Sequence, residues 1–175
     1  MKHEIGFMQG RLCSKVDGKI QAFPWKEWEL EFERAKNIGI NLMEWTLDQD
    51  RLYENPLMNP EGQKKILDLC EKFKFKIKTL TGDCFMQAPF YKKSGLDQEN
   101  LINNFKDIIT ASSKIGIEMI VIPLVDAGRL DTKDQEDFLV STLNNLIPIL
   151  IENRLKIIFE IDFRPEDQAR FISRL

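Results

Sequence analysis

Ile157-Ile158-Phe159-Glu160-Ile161-Asp162-Phe163 is the stretch on which the fold turns. It is short, β-branched and aromatic, and Arg164-Pro165 follows it as the opening of a helix, so it reads as a strand. Side chains alternate along a strand. Ile157, Phe159, Ile161 and Phe163 therefore share an apolar face suited to a helix layer, while Ile158, Glu160 and Asp162 point the other way. Four comparable runs precede it, beginning near Glu4, Asn41, Lys76 and Glu118. Successive strands thus start 35 to 42 residues apart, the length of a βα unit. Units repeated in this way predict a parallel β/α fold.

The gaps hold amphipathic patterns of helical period. Trp25, Trp28, Phe32, Ala35 and Ile38 form the first, and Ile66, Leu69, Cys70 and Phe73 the second. Leu101, Ile102, Phe105, Ile108, Ile109 and Ile115 form the third; Leu139, Leu143, Leu146, Ile147 and Leu150 form the fourth, with Pro148 predicting a kink. Thr132 with Gln135 fits a capping box, and Asn59-Pro60 places proline at a helix start. Lys36-Asn37-Ile38-Gly39-Ile40 and Ser113-Lys114-Ile115-Gly116-Ile117 are echoes of one another, each glycine closing a helix before a strand. Short αβ turns contrast with long βα connections at 12–24, 48–59, 84–97 and 126–132, the layout of an α/β active-site face. A complete eight-fold barrel takes about 250 residues. The 175 residues here predict an α/β (β/α)8 TIM barrel truncated after about five βα units, with 1–175 as a single domain.

Composition narrows the function classes. Hydrophobic residues make up 43% and charged residues 30%, ordinary for a globular protein. A net charge of -3 offers no basic stripe for a phosphate backbone, so no nucleic-acid partner is expected. No apolar run approaches the ~18 residues of a membrane span, and Met1-Lys2-His3-Glu4 leads straight into a strand without a signal-peptide core. Cys13, Cys70 and Cys84 are odd in number and scattered, which fits idle thiols in a reducing cytoplasm.

Polar residues gather where the strands end. The first strand ends in Gln9-Gly10-Arg11, the second carries Leu42, Glu44 and Thr46 on one face, the third Thr79, Thr81 and Asp83, and the fourth ends before Asp126. Arg11 is suited equally to a substrate anion and to neutralising Glu44 or Asp83. Asp126 reads as a loop or cap residue, and Thr46 and Thr81 as local hydrogen-bonders. Glu160 stands apart, because a carboxylate within an apolar strand is costly unless paired or bound to a cation. His3, the lone histidine, precedes the first strand and lies away from the active-site end. There is accordingly no Ser–His or Cys–His arrangement, no HExxH, no GxGxxG and no GxxxxGK. Oxygen ligands for a hard divalent cation remain. Two loops are expected over the site: a hairpin at 14–21 turning on Asp17-Gly18, and Cys84–Tyr91, whose aromatics suit a sugar face or plain loop packing.

Ile5-Gly6-Phe7-Met8-Gln9-Gly10-Arg11-Leu12, Gly18-Lys19-Ile20-Gln21-Ala22-Phe23-Pro24 with Trp28, Met43-Glu44-Trp45, Thr81-Gly82-Asp83, Ile120-Val121-Ile122-Pro123 and Phe159-Glu160-Ile161 resemble the sugar phosphate isomerase/epimerase family, whose barrel is xylose-isomerase-like. The resemblance covers the whole chain and the N-terminal part of that barrel. It implies a cytoplasmic enzyme of carbohydrate metabolism that isomerises or epimerises a sugar or sugar phosphate, with a homo-oligomer as a possible assembly. In that family a divalent metal (Mn, Mg, Co or Zn) is held by a Glu, an Asp, a His and a second Glu on strands five to eight, and the two glutamates serve as acid and base. Only the first ligand has a counterpart, Glu160, which the resemblance makes both metal ligand and catalytic residue. Gln9, Arg11, Glu44 and Asp83 are the candidate substrate-binding residues. The resemblance also implies weak or no metal binding by these 175 residues alone. Other readings stand beside it: a non-catalytic sugar-binding or subunit-pairing half-barrel, and an endonuclease-IV-like repair enzyme, which one histidine and an acidic pI disfavour.

Five parallel strands leave the first and last with unpaired backbone groups, and Ile157, Ile158, Phe159 and Ile161 make the last one adhesive. The 175-residue protein is expected to self-associate and to show no isomerase activity with added Mn²⁺ or Mg²⁺. Sedimentation with a metal titration checks this; a monodisperse monomer turning over a ketose would contradict it.

Overall fold

In the computed structural model, residues 4–16, 18, 19 and 22–175 are described. His3 and the hairpin positions Asp17, Ile20 and Gln21 lie outside them. Five strands, β1 (Phe7–Met8), β2 (Leu42–Thr46), β3 (Lys76–Thr81), β4 (Met119–Pro123) and β5 (Lys156–Glu160), alternate with helices. The helices are α1 (Leu30–Asn37), α2 (Pro60–Phe73), α3 (Asp83–Gln87), α4 (Gly95–Lys114), α5 (Lys133–Glu152) and α6 (Pro165–Ile172). All four strand pairings are parallel, and spatial order follows chain order, β1-β2-β3-β4-β5. A doubly wound sheet would reverse its order at a switch point. A monotonic order with right-handed crossovers keeps the helices on one side, as in a barrel wall.

The outer face carries the core. Met43, Trp45, Ile77, Leu80, Ile120 and Ile122 are buried there, packed with Phe32, Ile66, Phe105, Leu139 and Leu143 from the helices. One irregularity makes this possible. Between Met43 and Glu44 the pairing with β3 slips, so that Ile77 opposes Met43 while Thr79 opposes Glu44. Lys78 is the extra residue of a bulge, and it pairs with Glu118. Ile77 and Leu80 therefore both face outward, while Thr79 and Thr81 keep to the inner face.

Four helices end in the same turn. Ile40, Phe75, Ile117 and Leu155 each donate a backbone N–H to the carbonyl five residues back, on Ala35, Cys70, Ser112 and Leu150, at 2.8–3.2 Å. The residue before each donor is left-handed: Gly39 at φ 82°, Lys74 at 56°, Gly116 at 83° and Arg154 at 56°. Two turns use the glycine that the sequence predicts, and two place lysine or arginine there, at some conformational cost. The predicted starts are also present. Asn59 caps α2 by accepting from Gly62 N at 2.8 Å, and Pro165 opens α6. Thr132 Oγ1 accepts from Gln135 N at 3.2 Å, and the Gln135 side chain accepts from Asp131 N at 2.8 Å, one residue outside an ideal capping box.

The sequence pattern fails in three places. Ile38 is 61% exposed because α1 ends before it, and Ile147 is 41% exposed at the margin of the α5 stripe. The loop expected over the site at Cys84–Tyr91 is instead packed structure, with Phe85, Phe90 and Tyr91 buried in the core. Between Val16 and Lys19 an antiparallel bridge forms, as the hairpin reading requires. Pro148 lies inside α5, which continues through it.

α6 is fastened to α5 by charge as well as by rings. Phe171 is fully buried and meets Phe159 and Phe163 edge-on at 5.2 and 5.7 Å. Arg170 makes two hydrogen bonds to the Glu136 carboxylate, at 2.6 and 2.9 Å, and Arg174 joins Glu136 to Asp137. Hydrogen bonding from Arg170 holds the Glu136 carboxyl below its ordinary value of 4.5. A depressed carboxylate stabilises the fold above its unfolded pKa and loses that contribution as pH falls through its folded value. Acidification below about pH 4.5 should therefore release α6 first. Glu136→Gln should cost about 1–2 kcal/mol in urea unfolding at pH 7 and flatten the acid limb of the pH profile.

Candidate active site

The inner ends of the strands meet around a loop whose anchor the sequence did not suggest. After β1 the chain turns through Gly10, at φ +90°, where a Cβ would come 2.9 Å from the Ala22 carbonyl. That turn exposes the backbone N–H groups of Gly10 and Leu12. Both donate to the fully buried carboxylate of Glu31, at 2.9–3.0 Å. Arg34, from the next turn of α1, donates to the Leu12 carbonyl at 2.7 Å. Burial pushes Glu31 above its ordinary value against the pull of these donors. Cys13 lies beside it, its thiol raised to about 12 by burial and then by the Glu31 charge. Glu31 has helical neighbours and an ordinary first-turn position, so nothing in the sequence separates it from an exposed acid.

Gln9 is buried and locks β1 to β2. Its Oε1 accepts from Thr46 N at 3.1 Å, its carbonyl accepts from the Thr46 hydroxyl at 3.3 Å, and its Nε2 has no partner among the described residues. Glu44 points to the inner face and accepts from the Thr81 hydroxyl. Thr46 and Thr81 are thus the local hydrogen-bonders expected of them. Arg11 is exposed, its guanidinium 3.7 Å from the Met8 sulfur. Asp48, beyond β2, joins three loops by accepting from Phe23 N at 2.8 Å and from the Gln87 side chain at 2.7 Å.

Asp83, buried at the start of α3, and Glu160, at the end of β5, line one cavity of about 250 Å³ with Met8, Gln87, Pro123 and Asp126. Four of the five strands contribute to it, directly or through the residues that follow them. Asp126 opens its loop at φ +47°, and Tyr91 steadies that loop by donating its hydroxyl to the Gly128 carbonyl. Gly128 has no room for a side chain, since a Cβ would lie 2.4 Å from the Pro123 carbonyl. Of the candidate residues, Asp83 and Glu160 share this cavity; Gln9, Arg11 and Glu44 belong to the β1–β2 end of the inner face.

Glu160 corrects one expectation. It is exposed, so the desolvation cost that singled it out does not arise. The physical reason is topological: β5 is an edge strand, and Ile158, on its inner face, is 40% exposed as well. Asp162 does not join Glu160 but pairs with Arg129. Among the described residues no group of three or more His, Cys, Asp or Glu side chains is placed to hold a metal ion. The Glu160 carboxylate, a hard oxygen donor, belongs to no such group among the described residues.

No family profile matches the chain, and no curated protein matches it in sequence. Solved structures do match in fold. A xylose isomerase domain protein from Planctomyces limnophilus has a TM-score of 0.64 at 14% identity, over 97% of this chain and 58% of its own. D-psicose 3-epimerase, crystallised in the presence of D-fructose, gives 0.67 at 9% identity, over 97% and 59%. The IolI protein with a binding zinc atom gives 0.61 at 16% identity, over 98% and 58%. The chain spans about three-fifths of the length of these proteins and has the fold of that part of a xylose-isomerase-like barrel. No helix of the described residues is long and apolar enough to cross a membrane.

Glu31→Ala should leave the Gly10 and Leu12 donors unmet and cost about 2–3 kcal/mol in chemical unfolding. Thiol-labelling of Cys13 should accelerate in the same variant, since its covering carboxylate is gone. Unchanged stability and labelling would show that the loop does not depend on this carboxylate.

Proposed function

We propose that the chain forms part of an enzyme that isomerises or epimerises a sugar or sugar phosphate, with Glu160 as a proton-transferring carboxylate. The observation that carries this is the placement of Glu160 in one cavity with Asp83 and Asp126, at the C-terminal ends of the strands. That is where barrel enzymes work. The fold-level likeness to D-psicose 3-epimerase and to a xylose isomerase domain protein supports the same chemistry.

In such a reaction a proton leaves the carbon beside the sugar carbonyl, and its electron pair moves toward the carbonyl oxygen. Glu160, exposed at the edge of the cavity, takes the proton and returns it to a neighbouring carbon or to the opposite face. Asp83 and Gln87 lie where they would orient hydroxyl groups, and Arg11 and Glu44 extend the polar surface along the inner face toward β1. Gln9 enters as a support for the β1–β2 junction, through its bonds to Thr46. A divalent cation, when bound, would polarise the sugar oxygens, and Glu160 would be one of its ligands; among the described residues no group of three or more such side chains is placed to hold it. A sugar-binding half-barrel without catalysis is the second reading. The exposure of Glu160 on an edge strand favours it.

Turnover separates the two. In the whole protein, Glu160→Gln should lower kcat roughly 10²–10⁴-fold while the melting temperature stays within about 3 °C. Activity within a few-fold of wild type would remove Glu160 from the chemistry and leave the binding module.

A further inference from the structure

A second cavity, of about 380 Å³, is lined by the connections that follow β1 and β2. Ser14, Lys15, Trp25, Lys26, Glu27 and Arg51 line it. Its volume lies in the range of small-molecule sites. Three cationic side chains, Lys15, Lys26 and Arg51, share this concavity with one carboxylate, Glu27. Glu27 does not offset them, because it is already engaged by Arg34 at 2.6 Å and by the Ser14 side chain. Neither Lys15 nor Lys26 has an ion pair or side-chain hydrogen bond among the described residues. A larger cavity, of about 540 Å³ beside α5 and α6, makes the contrast. There Asp131 is paired with Lys92, Lys133 with Asp137, and Arg170 with Glu136 and Asp167, so each cation of the lining already faces a carboxylate.

Arg51 is held deliberately. It sits in the left-handed region at φ 55°, a strained setting for a residue with a long side chain. Its guanidinium carbon lies 3.9 Å above the Trp25 ring, while Nε and Nη2 reach Glu54 at 2.8 and 2.5 Å. Trp25 is in turn fixed edge-on by the buried Phe23 at 4.8 Å. A guanidinium carries five N–H donors, so the pairing with Glu54 leaves others for a ligand. The result is an aromatic–cation platform flanked by two exposed ammonium groups, a combination suited to a phosphate group.

We propose that this cavity binds the phosphate of a small phosphate monoester, through Lys15, Lys26 and Arg51. The binding stands on the geometry of the cavity; its assignment to the substrate rests on the sugar-converting function proposed for Glu160, and makes that substrate a sugar phosphate. Trp fluorescence or calorimetry with fructose 6-phosphate, fructose and inorganic phosphate tests it without turnover. Fructose 6-phosphate should bind roughly tenfold or more tightly than fructose, inorganic phosphate should compete, and both effects should weaken as salt rises. A Lys15→Ala/Lys26→Ala variant, altered only at exposed side chains, should keep its circular dichroism spectrum and lose the preference. Failure of both phosphate species to bind, equal affinity for sugar and sugar phosphate, or a preference that survives in the variant would overturn the proposal. A preference for phosphate alongside an unaffected Glu160→Gln enzyme would keep this site and discard the catalytic reading. The converse result would leave an unphosphorylated sugar as the substrate.

Discussion

Burial of the outer face of the sheet is the constraint on which the rest of this structure depends. Trp45, Met43, Leu80, Ile120 and Ile122 are fully covered there, and each large apolar side chain so buried contributes about 1.5–3 kcal/mol. Once that face is committed to the helices, strand alternation sends every second residue inward. The bulge at Lys78 shows how strongly the requirement acts. Straight alternation would put Ile77 and Leu80 on opposite faces; one extra residue in β3 lets both be buried and leaves Thr79 and Thr81 inside. Polar chemistry accumulates on the inner face because the outer one has no place for it.

The loops above the sheet are ordered by a different economy, that of unpaired backbone donors. Glu31, Asp48 and Asn55 satisfy loop groups that the turns would otherwise leave exposed to an apolar interior. Asn55 accepts from both the Trp45 indole and Leu57 N, and Asp48 ties the β1, β2 and β3 connections together. These three side chains hold the rim in shape through their hydrogen bonds. Two glutamates show how far environment decides: Glu31 is buried among backbone donors and holds a loop in shape, while Glu160 is exposed at the edge of a cavity.

Period and punctuation made much of the architecture legible from the sequence. The five strand runs, the helical stripes, Gly39 and Gly116 as left-handed closures, Asn59-Pro60 and Thr132 as starts, and the order of units all follow from local rules, because hydrogen-bond geometry and φ preference act over a few residues. The accumulation of Gln9, Glu44, Asp83, Asp126 and Glu160 at strand ends followed from alternation alone. Lys74 and Arg154 were not legible as the other two closures, since only the tertiary path of the chain forces a non-glycine residue into that conformation.

What the tertiary structure decided was burial and company. Phe85, Phe90 and Tyr91 looked like a rim and are core, because Phe105 of α4 packs against Phe85 and Phe90, and Tyr91 packs on Phe90. Glu160 looked buried and is exposed, because burial of an inward side chain depends on what stands across from it and not on its strand neighbours. Glu31, which nothing in the sequence singles out, is the anchor of the β1 loop, and Lys15, Lys26 and Arg51, far apart or undistinguished in sequence, share one cavity. Local order is written in sequence because its forces are short-ranged. Which charged group meets water, a donor or another charge is fixed only when distant segments are brought together.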